Sequence, residues 1–476
     1  MLSSNATANE FSTATPAFPP GPKGLPFIGH VLNFRRDPIG FLQKAARDYG
    51  DIVYFRIGSQ DGFLLNHPDY VQNVLVTHQR NFAKGRGLER AKAFLGEGLL
   101  TSEGEFHRRQ RRLAQPAFHR QRIAAYGTVM TNCAARTRER WQDGTIFDIS
   151  QEMMRLTLAI VGKTLFDAEV ESEATEIGVA LSALMKGWPK LMSPFYPLLK
   201  RLPLPSNRRL WAGQERLDAT IQRMIRERRA SGEDRGDLLS MLLLAQDEED
   251  NGGGMSDRQV RDEAMTLFLA GHETTANALT WTWYLVSQHP EVEEKLHAEI
   301  DAVLADRLPT ADDVAQLRYT RMVLSEAIRL YPPAWAMGRR VLGDYEVPPY
   351  RIPANSLIFL SPYVMHHDPR YFPNPDAFDP QRWTAEAQVE RPKFSYFPFG
   401  GGPRQCIGEG FAWMEGVLLI ATFAQRWRLR LVPGHPVALQ PLVTLRPKYG
   451  MRMVAERRSA FVKGTNSVHN MPRQPG

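Results

Sequence analysis

Residues 397–408 read FPFGGGPRQCIG and hold, at position 406, one of only two cysteines in 476 residues. Three consecutive glycines, Gly400 to Gly402, let the backbone approach something flat or bulky closely. Apolar spacing at Phe411, Met414, Leu418 and Ala421 predicts a helix directly afterwards. Cys406 then sits at a helix start, where unpaired N–H groups and the positive dipole end favour thiolate over thiol. Arg404 adds a cation two residues away. The segment therefore builds an electron-rich, hydrogen-bonded sulfur of the kind that ligates a metal. The plainer account, an inert buried cysteine behind a turn, fits Cys133, which lies mid-helix with no such surroundings.

A second constellation is Ala270-Gly271-His272-Glu273-Thr274-Thr275 inside a long apolar helix. Glu273 and Thr274 supply an acid and a hydroxyl, the parts of a proton relay. Ala270 and Gly271 remove side-chain bulk beside them. The competing accounts are helix packing for Gly271 and, for Thr274, bonding to a carbonyl one turn earlier. His272 points to another face and reads as structural. Glu326 and Arg329 are three apart and can pair on one helix face. His107 and Arg111 share a face four apart, within the dense basic run 107–112, HRRQRR. That run is either a solvated face or a docking surface for an acidic protein.

Phe399, Gly402, Arg404, Cys406 and Gly408 match F-x-x-G-x-R-x-C-x-G, and the chain thereby resembles the cytochrome P450 family. Three further segments agree in the family's order: AGHETT at 270–275, E-x-x-R at Glu326 to Arg329, and the meander Phe378-Asp379-Pro380-Gln381-Arg382. The proline-rich lead-in is also similar, so the resemblance runs from about Phe18 to Glu456. It implies a haem b held by Cys406 as thiolate ligand, which favours O–O cleavage. Glu273 and Thr274 are the implied catalytic pair. His107, Arg111, Arg339 and Arg404 are the implied propionate set, and Ala270, Gly271, Phe399 and Gly408 line the haem. Glu326, Arg329 and Arg382 would form a buried network supporting the haem-side core. The implied activity is insertion of one oxygen atom from O₂ into a lipophilic substrate. A same-fold peroxygenase, a haem-thiolate isomerase or dehydratase, and a haem sensor are the alternatives. Retention of Glu273-Thr274 argues against the first two, and the lack of a signalling domain against the third.

The elements that must position these residues are mostly helical, with small β-sheets: an α+β, mainly α fold with the haem between a long central helix and the cysteine loop. Alternation in 51–65 around Gly58 to Gly62 predicts a hairpin. Helical patterns dominate 71–307. Ser256 and Gln259 have capping-box spacing before a helix running to Gln288, and Pro290 opens the next, to Leu304. Arg321 to Leu330 is helical and is ended by Pro332-Pro333. Val341, 345–347, 356–360, 427–432 and parts of 437–454 are strand-like. Residues 1–17 read as disordered, 18–456 as one domain and 457–476 as a flexible tail.

Composition bounds the rest. Hydrophobic residues make up 43% and charged residues 23%, which suits a globular chain with a large core. Two cysteines exclude a four-cysteine zinc site or an iron–sulfur cluster and suit the cytoplasm. No run of some 18 apolar residues offers a membrane anchor. The net charge of +7 carries no nucleic-acid motif with it. No flavin or nicotinamide fingerprint is present, so electrons are expected from a separate ferredoxin or flavodoxin with its reductase, acting on a monomer. Apolar stretches at 94–100, Leu267, Ala270, 334–337 and 443–444 are candidate pocket walls, with 186–205 as a candidate entrance. They favour a terpenoid, steroid, fatty-acyl or polyketide substrate.

Overall fold

Ser256 accepts a hydrogen bond from the Gln259 amide while the Gln259 side chain accepts from the Ser256 amide. This reciprocal cap starts a 32-residue helix, Asp257–Gln288, about 48 Å long at 1.5 Å per residue. The computed structural model describes residues 18–167, 204–247 and 253–458, with isolated positions 187 and 202. The expected disordered start, almost all of the 186–205 entrance and the tail beyond 458 lie outside these residues.

The helices that build the site are, in chain order, α1 (Arg86–Leu95), α2 (Gly104–Ala114), α3 (Arg120–Glu139), α4 (Ile149–Phe166), α5 (Pro205–Ser231), α6 (Asp257–Gln288), α7 (Pro290–Leu304), α8 (Arg318–Leu330) and α9 (Glu409–Ala424). Helix α6 runs through the middle, packed on α4, α5, α8 and α9. Most of its residues are buried, as expected for a helix apolar nearly all round. Trp281 anchors it: fully buried, stacked on Tyr331 at 4.2 Å, with its indole N–H donating to the Leu445 carbonyl at 3.1 Å. Helix α8 starts three residues before the expected Arg321.

A five-stranded sheet forms the other layer. Its strands are β1 (Ile52–Ile57), β2 (Gln60–Leu65), β3 (Phe82–Lys84), β4 (Met337–Val341) and β5 (Leu357–Leu360), in the spatial order β1-β2-β5-β4-β3. β1 and β2 are the expected hairpin. The register of β3 against β4 sets Lys84 opposite Arg339. Like charges facing across strands are destabilising unless something offsets them. A small antiparallel pair, β6 (Leu439–Pro441) and β7 (Leu445–Pro447), lies against α6. Residues 427–431 and 452–457 pair as strands, and Arg458 binds the Ala424 carbonyl and Asp301, so the ordered chain extends past Glu456.

Glu326 and Arg329 are both fully buried and share two hydrogen bonds of 2.8 Å. Arg329 also donates to the carbonyls of His366, Pro375 and Ala377. Arg382 approaches Glu326 at 3.3 Å, and the Trp383 indole donates to it at 2.9 Å. The expected network is thus present, and it ties α8 to the coil that precedes the cysteine loop.

Candidate functional site

Cys406 lies in the turn before α9, not within it; Gly408 is the helix N-cap. Two backbone interactions fix it. Its amide donates to the Phe399 carbonyl at 2.9 Å, and the Gly408 amide reaches its sulfur. Phe399 packs on Trp413 of α9, ring centres 5.4 Å apart. Cys406 keeps accessible surface although protein is packed densely around it. Burial pushes its thiol up; the Gly408 amide and Arg111 pull it down, and Glu409 opposes them. The thiolate preference expected from sequence therefore needs a positive partner at the sulfur. The glycines are required: Gly402 has φ +65°, and a side chain there would collide with the Leu75 carbonyl.

Beside this loop the chain gathers five cationic or basic groups, Lys84, His107, Arg111, Arg339 and Arg404. Burial drives the Lys84 ammonium far below its usual value, helped by Arg339 and Arg404. Burial takes His107 down to about 3, with Arg404, Lys84 and Arg111 adding to the effect. Burial likewise brings Arg339 down to about 10, and its guanidinium donates to the adjacent Gly338 carbonyl. One acid stands among them: Glu103 accepts from the Lys84 amide at 2.5 Å and pairs with Arg404. Arg404 also donates to Ser102 O, and Arg111 to Gln405 O, both at 2.7 Å. Buried charge in such excess calls for anions. Two propionates over a thiolate fit it, so the residues present suit a haem. The sequence missed Lys84 and Glu103; only the β3–β4 register brings Lys84 to Arg339.

On α6 the two small residues separate. A side chain at Gly271 would press on Val161 of α4 at 3.0 Å, so its smallness serves helix packing. Ala270 is exposed on the open side. Thr274, one turn on, donates to the Ala270 carbonyl at 2.9 Å, which leaves its oxygen an acceptor on that side. His272 is buried, hydrogen-bonded to Phe268 O and away from this face. Glu273 is also buried. Arg446 of β7 pairs with it at 2.7 Å, Thr444 donates to it, and Asn277 donates to Thr444 at 3.1 Å. The acid is thus oriented by the β6–β7 hairpin, a link sequence spacing could not reveal. Thr275 reaches Glu415 of α9, whose carboxyl burial raises to about 8. That contact joins the helix bearing Thr274 to the helix that follows Cys406.

The family model Cytochrome P450 matches residues 19–451. The chain is a cytochrome P450. Cyclooctatin synthase of Streptomyces melanosporofaciens is 44% identical over 439 residues, 92% of this chain and 95% of that one. Cyclooctat-9-en-7-ol 5-monooxygenase of the same organism is 40% identical, covering 87% and 90%. Pentalenene oxygenase of Streptomyces avermitilis is 36% identical, covering 88% and 93%. The solved structure of retinoic acid-bound cyanobacterial CYP120A1 superposes with a TM-score of 0.84 at 26% identity, covering 94% of this chain and all of that one. This P450 is a haem-dependent monooxygenase acting on a lipophilic compound with O₂. Among the described residues, no helix is long and apolar enough to cross a membrane.

Proposed function

We propose that this P450 oxidises a terpenoid-type substrate, held on the Ala270 face of α6, with Cys406 as the iron's thiolate ligand. Bound haem would supply the activation of O₂. Lys84, His107, Arg111, Arg339 and Arg404 hold its propionates. The substrate reading is supported by relatives named for cyclooctatin, cyclooctat-9-en-7-ol and pentalenene, and by the apolar walls Phe94, Leu99 and Leu267, all in one core cluster with α6.

The single observation that carries the reading is the Ala270–Thr274 pair. Ala270 leaves space, and Thr274, its own proton engaged by Ala270 O, offers a lone pair to a water or to the reacting oxygen's proton. Glu273, one residue away, is oriented by its pair with Arg446 and by the Thr444 hydroxyl.

Electrons come from an acidic ferredoxin or flavodoxin with its reductase. A cleft of about 420 Å³ beside the cysteine loop, lined by Arg108, Arg111, Arg112, His119 and Pro403 among others, supports that docking mode. Two free cysteines suit the cytoplasm.

The test is a titration of the haem spin state with terpenoid hydrocarbons, terpenoid alcohols, steroids and fatty acids, followed by turnover with reductase partners and O₂ or with peroxide alone. A spin shift confined to terpenoids, with turnover dependent on partners, is expected. Turnover on peroxide without partners would replace the monooxygenase cycle with a peroxygenase one.

A further inference from the structure

Residues 261–263 read Arg-Asp-Glu, seven to nine positions before Ala270, and each is tied to the end of α1 or the loop that follows it. Asp262 accepts from the Glu97 amide at 2.9 Å, and Glu263 accepts from the Leu99 amide at 3.0 Å. Arg261 binds Asp262 at 2.7 Å, pairs with Asp218 of α5, and reaches the Phe94 carbonyl at the end of α1. The loop from Gly96 to Leu100 lies directly on the helix. Gly96 has φ +71°, and a side chain there would run into the Asp262 carboxylate; one at Gly98 would meet the Thr266 hydroxyl and the Asp262 carbonyl. Thr101 closes the loop on itself through the Gly96 carbonyl at 2.7 Å.

Glu263 precedes Ala270 by seven residues and Thr274 by eleven, near two and three turns, so the three share one face of α6. The loop therefore hangs over the face that Ala270 leaves open, about 10 Å along the axis from it. Asp262 and Glu263 are 5% and 0% exposed. Burying two adjacent carboxyls is costly unless each does something. Burial raises Glu263 to about 8, with Asp262 adding and the Leu99 amide opposing. At neutral pH it is mostly protonated, so it serves as a hydrogen-bond acceptor for one loop amide rather than as a charge.

We propose that Asp262 and Glu263 are positioning residues that set the height of loop 96–100 over the open face of α6, and so the size of molecule that passes Leu99 and Leu100 to the haem. This rests on the reading that substrate occupies the Ala270 face.

The test uses the holoenzyme and three variants. Glu263→Leu removes the acceptor, Glu263→Gln keeps it, and Gly98→Ala pushes the loop off the helix from the other side. Hydrogen exchange across 96–101 reports the loop, and stopped-flow binding of imidazole and of the bulkier 4-phenylimidazole reports passage. In Glu263→Leu and Gly98→Ala, exchange at Leu99 should rise roughly two- to tenfold, the range of one hydrogen bond. Association and dissociation of 4-phenylimidazole should quicken by similar factors, imidazole should be unaffected, and Glu263→Gln should track the parent. If Glu263→Leu does not fold, Gly98→Ala carries the same comparison. Faster exchange with unchanged 4-phenylimidazole rates overturns the proposal, as do equal changes for both ligands or a Gln variant that behaves like Leu. The expected ligand pattern together with a flat terpenoid titration of the parent supports the loop assignment and counts against the substrate reading alone.

Discussion

Acidifying this P450 without and with its haem should give two different stability curves, and His107 is the cause. In the protein alone His107 sits at about 3 against an ordinary 6.5, because it is buried and faces Arg404, Lys84 and Arg111. Its folded form is neutral, whereas the unfolded chain takes up a proton below 6.5. The contribution is therefore complete above pH 6.5 and is lost as pH falls towards 3. At about 1.36 kcal/mol per pH unit, the loss is about 2 kcal/mol by pH 5 and about 5 kcal/mol at most. His107 is only 4% exposed, so solvent screens little of this. Propionates among the same cations add negative charge, raise His107 and flatten the curve. The assay is the urea midpoint from pH 7.5 to 4 for the parent and His107→Gln, each haem-free and haem-loaded. Burial also lowers His297 and His366, but they are common to both proteins and cancel in the difference. A haem-free difference that does not change with pH, or one with the same slope after haem is added, would refute the placement of His107 among the propionate contacts.

Cys406→Ala should abolish the red-shifted band of the reduced, CO-bound protein, read by difference spectroscopy; an unchanged band would remove Cys406 as ligand. Thr274→Ala, which frees the Ala270 carbonyl, should lower product formed per electron consumed and raise peroxide release, measured against cofactor oxidation. Arg329→Met strands the fully buried Glu326 and three carbonyls; breaking such a pair costs about 3–5 kcal/mol. Its thermal midpoint and soluble yield should fall steeply, whereas a midpoint within a degree or two would make the network dispensable.

What the sequence made legible was local. The capping box at Ser256, Pro290 at the first turn of α7, and the Glu326–Arg329 spacing each depend on residues within one helical turn. What it hid depends on long-range geometry. Ala270 and Gly271 are adjacent in sequence, yet about 100° apart around the helix, so one faces the open side and the other Val161. Glu273 finds Arg446 and Thr444 more than 170 residues later, and no spacing rule connects them. Lys84 joins the cation cluster through the β3–β4 register alone. The start of α9 falls after Cys406 because the Cys406 amide is already committed to Phe399 O, which holds the sulfur in a turn and delays the helix until Gly408 caps it.

The position of Glu273 joins two functions that separate motifs would keep apart. Thr444 belongs to the stretch 443–444 that the sequence offered as pocket wall, and it also donates to Glu273. Arg446, two residues on, completes the carboxylate's pairing from β7. Thr444 and Arg446, two positions apart, both reach Glu273 from the same side of the hairpin. One hairpin therefore supplies both the hydroxyl and the cation that hold the Glu273 side chain against the helix, one residue before Thr274.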